Sequence, residues 1–474
     1  MAFIQHKKIK NKTYAYEVTS YWDKELKKTK KRSKYLGPVN EKTNEITAFI
    51  KKNTKQEKLI LDFGDGYFLY ELIRKMDLYE IFNATIFNKF VNILPLFIYR
   101  LCTQLSMYNF ENWFEGNIVS FLFKNRDLSS QRISELFSYL GEESIQRAFF
   151  TAYLAHIGGS KRSVIIDATS LPNNIHIDYN EWGRSDGKIE KQFRLICVID
   201  QLNKTPLFYR LLPGNIIDVS TLQTTILELK SMGVESSYIL MDAGYFSESN
   251  LCDLFKKQIN FLTRMPAGIK IYKEIILNKI AKIETLKNAS ILNSRSFYIK
   301  TLKIDLYGNQ AYAYIVLDPE RKAKETKELL QKYCNNKNER NQSKDQLELL
   351  SCGVMILASS KKIHISEVLS SYYLRQSVEQ VFSFSKSDLS LLPLRNHNNK
   401  TVKGYLFFQF LLLILYLKIR EKTPSGYTVE QMLLILRKLK CKVFDSEIIP
   451  SEPTKKQRLF FEKTEIVLPK FIEI

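Results

Sequence analysis

SVIIDATS (residues 163–170) and SSYILMDAG (residues 236–244) decide the fold of this chain. Each is a short apolar, β-branched run reaching an aspartate, Asp167 in the first and Asp242 in the second. Around them lie KQFRLICVID (191–200), TPLFYRLLPG (205–214) and INFLTR (259–264), with helical patterns near residues 219–232 and 249–257. Three clustered strands followed by alternating helices and strands indicate an α/β fold with a mixed sheet. Sites in such open sheets form at the carboxyl ends of the strands. A single aspartate there commonly forms a turn or caps a helix. Two of them on one sheet point to a site.

Working outward divides the chain into six stretches. Residues 1–57 read as a basic β-hairpin arm, because TYAYEVTSYW (13–22) and SKYLGPV (33–39) keep strand period around the lysine-rich DKELKKTKKRSKYLG (23–37). Lys30, Lys31 and Arg32, interleaved with Tyr21, Trp22 and Tyr35, offer phosphate neutralisation and flat apolar faces to DNA. The alternative is a solvated turn over a small aromatic core. Residues 58–157 form a helical region, assigned with the arm to DNA binding. Gly141 there reads as a residue just past a helix end, and no cluster of base-reading side chains marks a helix-turn-helix reader. Residues 158–265 are the first part of the α/β core, 266–359 a mostly β insertion, 360–422 a helical second part of the core, and 423–474 a helical tail. The tail holds a capping box at Thr428 and Gln431.

Composition narrows the partner. Among 474 residues, 71 Lys and Arg outnumber 50 Asp and Glu, a net charge of +21 that favours a polyanion. The six cysteines are scattered without a short Cys-x-x-Cys pair, as expected of thiols in a reducing cytoplasm. The first twenty residues lack the apolar core of a secretory signal. GYLFFQFLLLILYLKIR (404–420) is shorter than the about 20 residues of a membrane span and reads as a buried core helix. No His-Glu-x-x-His, no metal-like Cys/His spacing and no Gly-x-Ser-x-Gly elbow occur. GRSDGKI (183–189) falls one residue short of a P-loop and has Ile189 where Ser or Thr belongs.

A third acidic element lies in YYLRQSVEQVFSFSK (372–386). Tyr372, Arg375, Glu379 and Lys386 stand at offsets that a helix of ~100° per residue gathers on one face. A solvated polar stripe is the structural alternative. Three carboxylates flanked by cations suit phosphodiester chemistry: two Mg²⁺ ions bridged by a carboxylate activate a water or a 3′-hydroxyl and stabilise the leaving oxygen. Hard oxygen ligands match Mg²⁺, and Arg and Lys hold the neighbouring phosphates.

These residues resemble a known family. Asp167 in IIDATS, Asp242 in LMDAGY and the Tyr-x-x-Arg-x-x-x-Glu-x-x-x-x-x-x-Lys pattern from Tyr372 to Lys386 are similar to the bacterial insertion-sequence DDE transposases with a Tyr-Arg-Glu-Lys motif. LPGNIID (212–218) resembles the segment between the two aspartates in that family, and LLPLRNHNNKTVKGYLFFQFLLL (391–413) its downstream helix. The resemblance covers about residues 155–425. It implies an RNase H-like core interrupted by the insertion, with Asp167, Asp242 and Glu379 as metal-binding catalytic triad. It also implies Tyr372, Arg375 and Lys386 as DNA-phosphate contacts and Mg²⁺, replaceable by Mn²⁺, as cofactor. Its partners would be terminal inverted repeats and target DNA, bound by a homodimeric synaptic complex at the bacterial nucleoid, with no membrane involved. Some relatives hold a flipped base with a tryptophan of the insertion, whereas Trp22, Trp113 and Trp182 all lie outside it here; Tyr298, Tyr307, Tyr312 and Tyr314 lie within. A nuclease of the same fold that cuts without joining, and a repurposed DNA-binding protein without chemistry, are the alternatives.

Overall fold

A computed structural model describes residues 2–10, 12–23, 27–40, 46, 57–86, 89–159, 161–185, 187–335, 342–376 and 398–474. The chain divides into two compact units, one of Met1–Leu59, Lys442–Ile449 and Phe471–Ile474 and the other of Ile60–Cys441 and Pro450–Lys470.

The smaller unit holds an antiparallel sheet of β1 (Ala2–Ile9), β2 (Lys12–Asp23) and β3 (Lys28–Val39), in that order. The sequence revealed the β2–β3 hairpin but not β1, whose AFIQHKKI is exposed along its whole length and so carries no alternating burial signal. Near the root of the hairpin Ala15 and Val18 are buried, and the Tyr35 ring packs 6.0 Å from Tyr14 and 5.3 Å from Tyr16.

The larger unit begins at Ile60, within β4 (Leu59–Asp62), and continues into a helical layer. This comprises α1 (Gly64–Arg74), α2 (Leu78–Ile86), α3 (Phe90–Cys102), α4 (Phe110–Glu115), α5 (Val119–Leu122), α6 (Ser130–Leu140) and α7 (Glu143–Ile157). Then comes the sheet. β5 (Lys161–Pro172), β6 (Glu181–Ser185), β7 (Lys188–Asp200) and β8 (Pro206–Pro213) are followed by α8 (Leu222–Ser231), β9 (Glu235–Met241), α9 (Glu248–Lys256) and β10 (Asn260–Arg264). β5, β9 and β10 run parallel, their apolar runs buried by layers on both faces, while β7 pairs antiparallel with β5. β6 is a strand the sequence did not disclose, and GRSDGKI forms its hairpin with β7, pairing Arg184 with Ile189.

Residues 266–359 differ from the mostly β insertion expected. They contain α10 (Lys270–Lys279), α11 (Pro319–Asn335) and α12 (Gln342–Ser351) beside β11 (Ala289–Leu292), β12 (Arg295–Leu306), β13 (Asn309–Leu317) and β14 (Val354–Ser359). Their strands continue the same sheet, in the order β11-β12-β13-β14-β10-β9-β5-β7-β6 with β8 on β7. The fully buried β14 supplies the junction, pairing antiparallel with both β10 and β13. α13 (Ile365–Tyr373) follows.

α14 (Asn399–Lys422) is 24 residues long, longer than its apolar run indicated, because the Asn398 side chain caps it at Lys400 and Thr401. Length and composition would let it cross a membrane, yet 78% of its apolar window is buried inside the protein. Phe407, Phe408, Leu411 and Leu412 are wholly inaccessible, each contributing about 1.5–3 kcal/mol. α6 crosses α14 at two glycines. A Cβ on Gly404 would sit 1.7 Å from the Phe137 carbonyl oxygen, and one on Gly141 1.9 Å from that of Lys400. Gly141 therefore serves close approach rather than a left-handed helix end, its φ being −77°. The capping box of Thr428 and Gln431 opens α15 (Val429–Arg437). The remaining tail is not all helical: β15 (Lys440–Val443) and β16 (Glu447–Pro450) precede α16 (Lys455–Lys463) and β17 (Ile472–Glu473).

Candidate active site

β5 and β9 pair in parallel with Ile165 opposite Leu240 and Ile166 opposite Met241. The next residue in each segment is an aspartate, so the register itself sets Asp167 beside Asp242; Asp242 follows the end of β9 as expected, whereas Asp167 does not close its strand, because β5 runs on against β7 to Pro172. Asp167 is 8% exposed, and its Oδ1 accepts from the Ala168 amide at 3.0 Å. After Asp242 the chain turns at once through a short 3₁₀ turn, Ala243–Tyr245, that directs it away from the sheet.

α13 brings the next two groups. It is capped by His364, which accepts from the Ser366 amide, and buries Val368 and Leu369. α13 ends at Tyr373 with a turn at Leu374 and Arg375, and Gln376 is helical again. The last turn of α13 tightens, the Arg375 amide donating to the Tyr372 carbonyl at 3.1 Å. That tightening still delivers both side chains to the aspartates. Arg375 Nη1 lies 2.9 Å from Asp167 Oδ2, and the Tyr372 hydroxyl donates to Asp242 Oδ1 at 3.2 Å. The Arg375 guanidinium also stands 6.0 Å from the centre of the Tyr372 ring. Burial, and then the charge of Asp242, push the Tyr372 phenol well above its ordinary value, so it remains a donor. Glu379 and Lys386, the other two members of the expected motif, lie outside the described residues.

Three groups not singled out from sequence complete the surroundings. Arg264 closes β10, which pairs in parallel with β9 up to Thr263 opposite Met241, so it stands at the level of Asp242 and acts electrostatically on Tyr372. INFLTR ended on a charged residue as the two aspartate strands did, and that was the available signal. Asp218, the last residue of LPGNIID, forms a 2.6 Å ion pair with Arg194. Burial, and then the nearby charge of Asp242, raise its carboxyl above the usual range against the pull of Arg194. A Cβ at Gly244 would meet Asp218 Oδ2 at 2.9 Å, which explains a glycine in that turn. Asn250 fastens the Asp218 loop to the Asp242 turn by donating to the carbonyls of Val219 at 2.8 Å and Tyr245 at 3.0 Å. The Tyr245 hydroxyl, in a residue 1% exposed, has no hydrogen-bond partner among the described residues and feels Asp218, Asp167 and Asp242.

The donor set suits a hard divalent cation. Two carboxylates side by side where the β5–β9 pairing stops supply oxygen ligands of the kind Mg²⁺ prefers, and the seat of the Arg375 guanidinium shows that this position draws positive charge. Among the described residues no group of three or more His, Cys, Asp or Glu side chains could hold a metal. Two donors of the expected triad are thus placed and the third lies beyond them.

No curated protein matches the chain. Residues 158–415 match the family model described as the transposase DDE domain, more than half of the chain. Among solved structures, the piggyBac transposase synaptic complex with hairpin DNA aligns with 79% of this chain and 69% of its own, at 11% identity and a TM-score of 0.38.

Proposed function

The chain belongs to the DDE transposase family, DNA-cleaving and strand-transferring enzymes that use divalent metal ions, and on that premise we propose that it is the transposase of a bacterial insertion sequence. It binds the terminal inverted repeats of its element, cuts at their ends and joins the freed 3′-hydroxyls to target DNA. The observation that carries this reading is the pair Asp167 and Asp242, side by side where the parallel pairing of β5 with β9 stops, each engaged by a member of the Tyr-Arg-Glu-Lys motif.

In this reading Asp167 and Asp242, with Glu379, hold two Mg²⁺ ions in an RNase H-like core. The ions, when bound, activate the attacking oxygen and neutralise charge on the leaving one. Arg375 and Tyr372 then turn from the carboxylates to donate to phosphate oxygens beside the cleaved bond, and Lys386 adds a further phosphate contact. Arg264 contributes positive potential along the same edge. The basic amino-terminal sheet, including Lys30, Lys31 and Arg32, binds DNA, and two copies of the chain hold two element ends together.

The test uses the genomic DNA flanking the coding sequence as substrate for the purified chain with Mg²⁺, with Glu379→Ala as control. Cleavage at discrete ends followed by covalent joining to a second duplex, lost in Glu379→Ala, is the expected result. Cleavage that never proceeds to joining would favour a nuclease, and tight binding without cleavage in Mg²⁺ or Mn²⁺ a repurposed DNA-binding protein.

A further inference from the structure

The amino-terminal sheet is not uniform along its length. β1 pairs with β2 from Ile9 opposite Lys12 to Ala2 opposite Thr19, whereas the β2–β3 pairing runs on to Asp23 opposite Lys28. Beyond Thr19, therefore, the sheet is a ribbon two strands wide. Directly paired residues share a face and successive residues alternate. Tyr21, Asp23, Lys28, Lys30 and Arg32 consequently point to one side, and Ser20, Trp22, Thr29 and Lys31 to the other. The tyrosines of the root, Tyr14, Tyr16 and Tyr35, lie on the Trp22 side. The interleaving of aromatic and basic residues in the sequence thus resolves in space into sides of different character.

The two edges of the ribbon differ as well. Every described cation of the ribbon lies on β3, while β2 from Thr19 to Trp22 presents two hydroxyls, a phenol and an indole. The one acid among its described residues, Asp23, is taken up by Lys30 at 2.6 Å. Lys28, Lys31 and Arg32 are exposed, Lys31 standing 6.0 Å from the Phe3 ring. Tyr21 and Trp22 are also exposed, at 50% and 61%, so their rings fill no core in this unit.

We infer that the β2–β3 ribbon beyond Thr19 enters the major groove of duplex DNA edge-first, β2 innermost, with Lys28, Lys30 and Arg32 along one phosphate strand and Tyr21 and Trp22, one on each side of β2, against base edges. The major groove is about 12 Å wide and admits a two-stranded β-ribbon. The rise of about 3.3 Å per residue strings Lys28, Lys30 and Arg32, which share a side, along one edge, as a single phosphate strand requires. Hydroxyls bond to any base edge and apolar rings pack on the thymine methyl, which suits β2 to reading sequence. This inference rests on the proposed DNA-binding function and fixes which strand of the ribbon positions it and which discriminates.

The experiment measures binding of the full chain to a duplex carrying the flanking genomic sequence, across a salt series, beside an unrelated duplex of equal length. Lys28, Lys30 and Arg32→Gln together should lower the slope of log K against log salt by roughly 2–3, since each phosphate contact contributes about 0.9. Lys7, Lys8 and Lys12→Gln, which remove the same charge at the opposite end of the sheet, should leave the slope nearly unchanged. Trp22→Ala should retain the slope but lose about tenfold of the preference for the flanking duplex. A major-groove ligand, methyl green, should displace the chain, and a minor-groove ligand, netropsin, should not. Equal slopes for the two triple variants, displacement by netropsin alone, or preference for anionic vesicles or single-stranded DNA over the duplex would overturn the inference. Joining by the unaltered chain is read separately, so the ribbon can fail while the transposase reading stands.

Discussion

Where the pairing of β5 with β9 stops, charges are enclosed and held: Asp167 by Arg375, Asp242 by Tyr372, and Asp218 by Arg194. On the β2–β3 ribbon, Lys28, Lys31 and Arg32 stand in solvent beside exposed Tyr21 and Trp22. The first arrangement fixes a few groups within an ångström or so, which chemistry demands. The second spreads charge along an edge, where affinity grows with the number of phosphates met and falls with salt. Substitutions should therefore separate the two. Enclosed groups should govern the rate at saturation, and exposed ones the affinity and its salt dependence.

The largest effect sharpens that separation. Asp167→Ala and Asp242→Ala should each reduce joining by about 10³-fold or more while leaving the salt slope of binding unchanged, as read in parallel joining and titration assays. A slope that moved with them would merge the two regions. A smaller effect works through the scaffold. Gly404→Ala places a methyl group against the Phe137 carbonyl where α6 and α14 cross, and should cost about 2–4 kcal/mol in denaturant unfolding. The smallest concerns Arg375→Gln, which removes the 2.9 Å ion pair with Asp167 and should lower stability by about 1–2 kcal/mol. Added Mg²⁺ should raise the melting temperature of Arg375→Gln more than that of the unaltered chain, because the ion and the guanidinium compete for one carboxylate.

Legibility followed how local each determinant was. Asp167 and Asp242 were readable because an apolar run reaching a carboxylate is a pattern within one segment, and so were α8 and α9; that β5 continues past Asp167 to Pro172 was not, because its pairing with β7 carries it on. Arg264 obeyed the same rule but was passed over as a charge closing a short run. β6 was missed because EWGRS has a glycine, two charges and no alternating apolar pattern, and is held by its pairing with β7. The end of α13 at Tyr373 depends on a single tightened turn that periodicity does not encode. The continuity of residues 266–359 with the core sheet rests on β14 meeting β10, a pairing between segments about 95 residues apart that no local pattern announces. Asp218 entered only as part of a recognised segment, since its importance arises where Arg194, Gly244 and Asp242 converge. The faces of the amino-terminal sheet became visible once β2 and β3 had a register.

The most direct test of the central claim, that Asp167 and Asp242 act as metal ligands in strand joining, is the metal preference of Asp242→Cys. A thiolate is a poor ligand for Mg²⁺ and a better one for softer ions. The account predicts no joined product from Asp242→Cys in Mg²⁺ and recovered joining in Mn²⁺, with duplex binding unchanged throughout. Joining by Asp242→Cys in Mg²⁺ at the rate of the unaltered chain would contradict it.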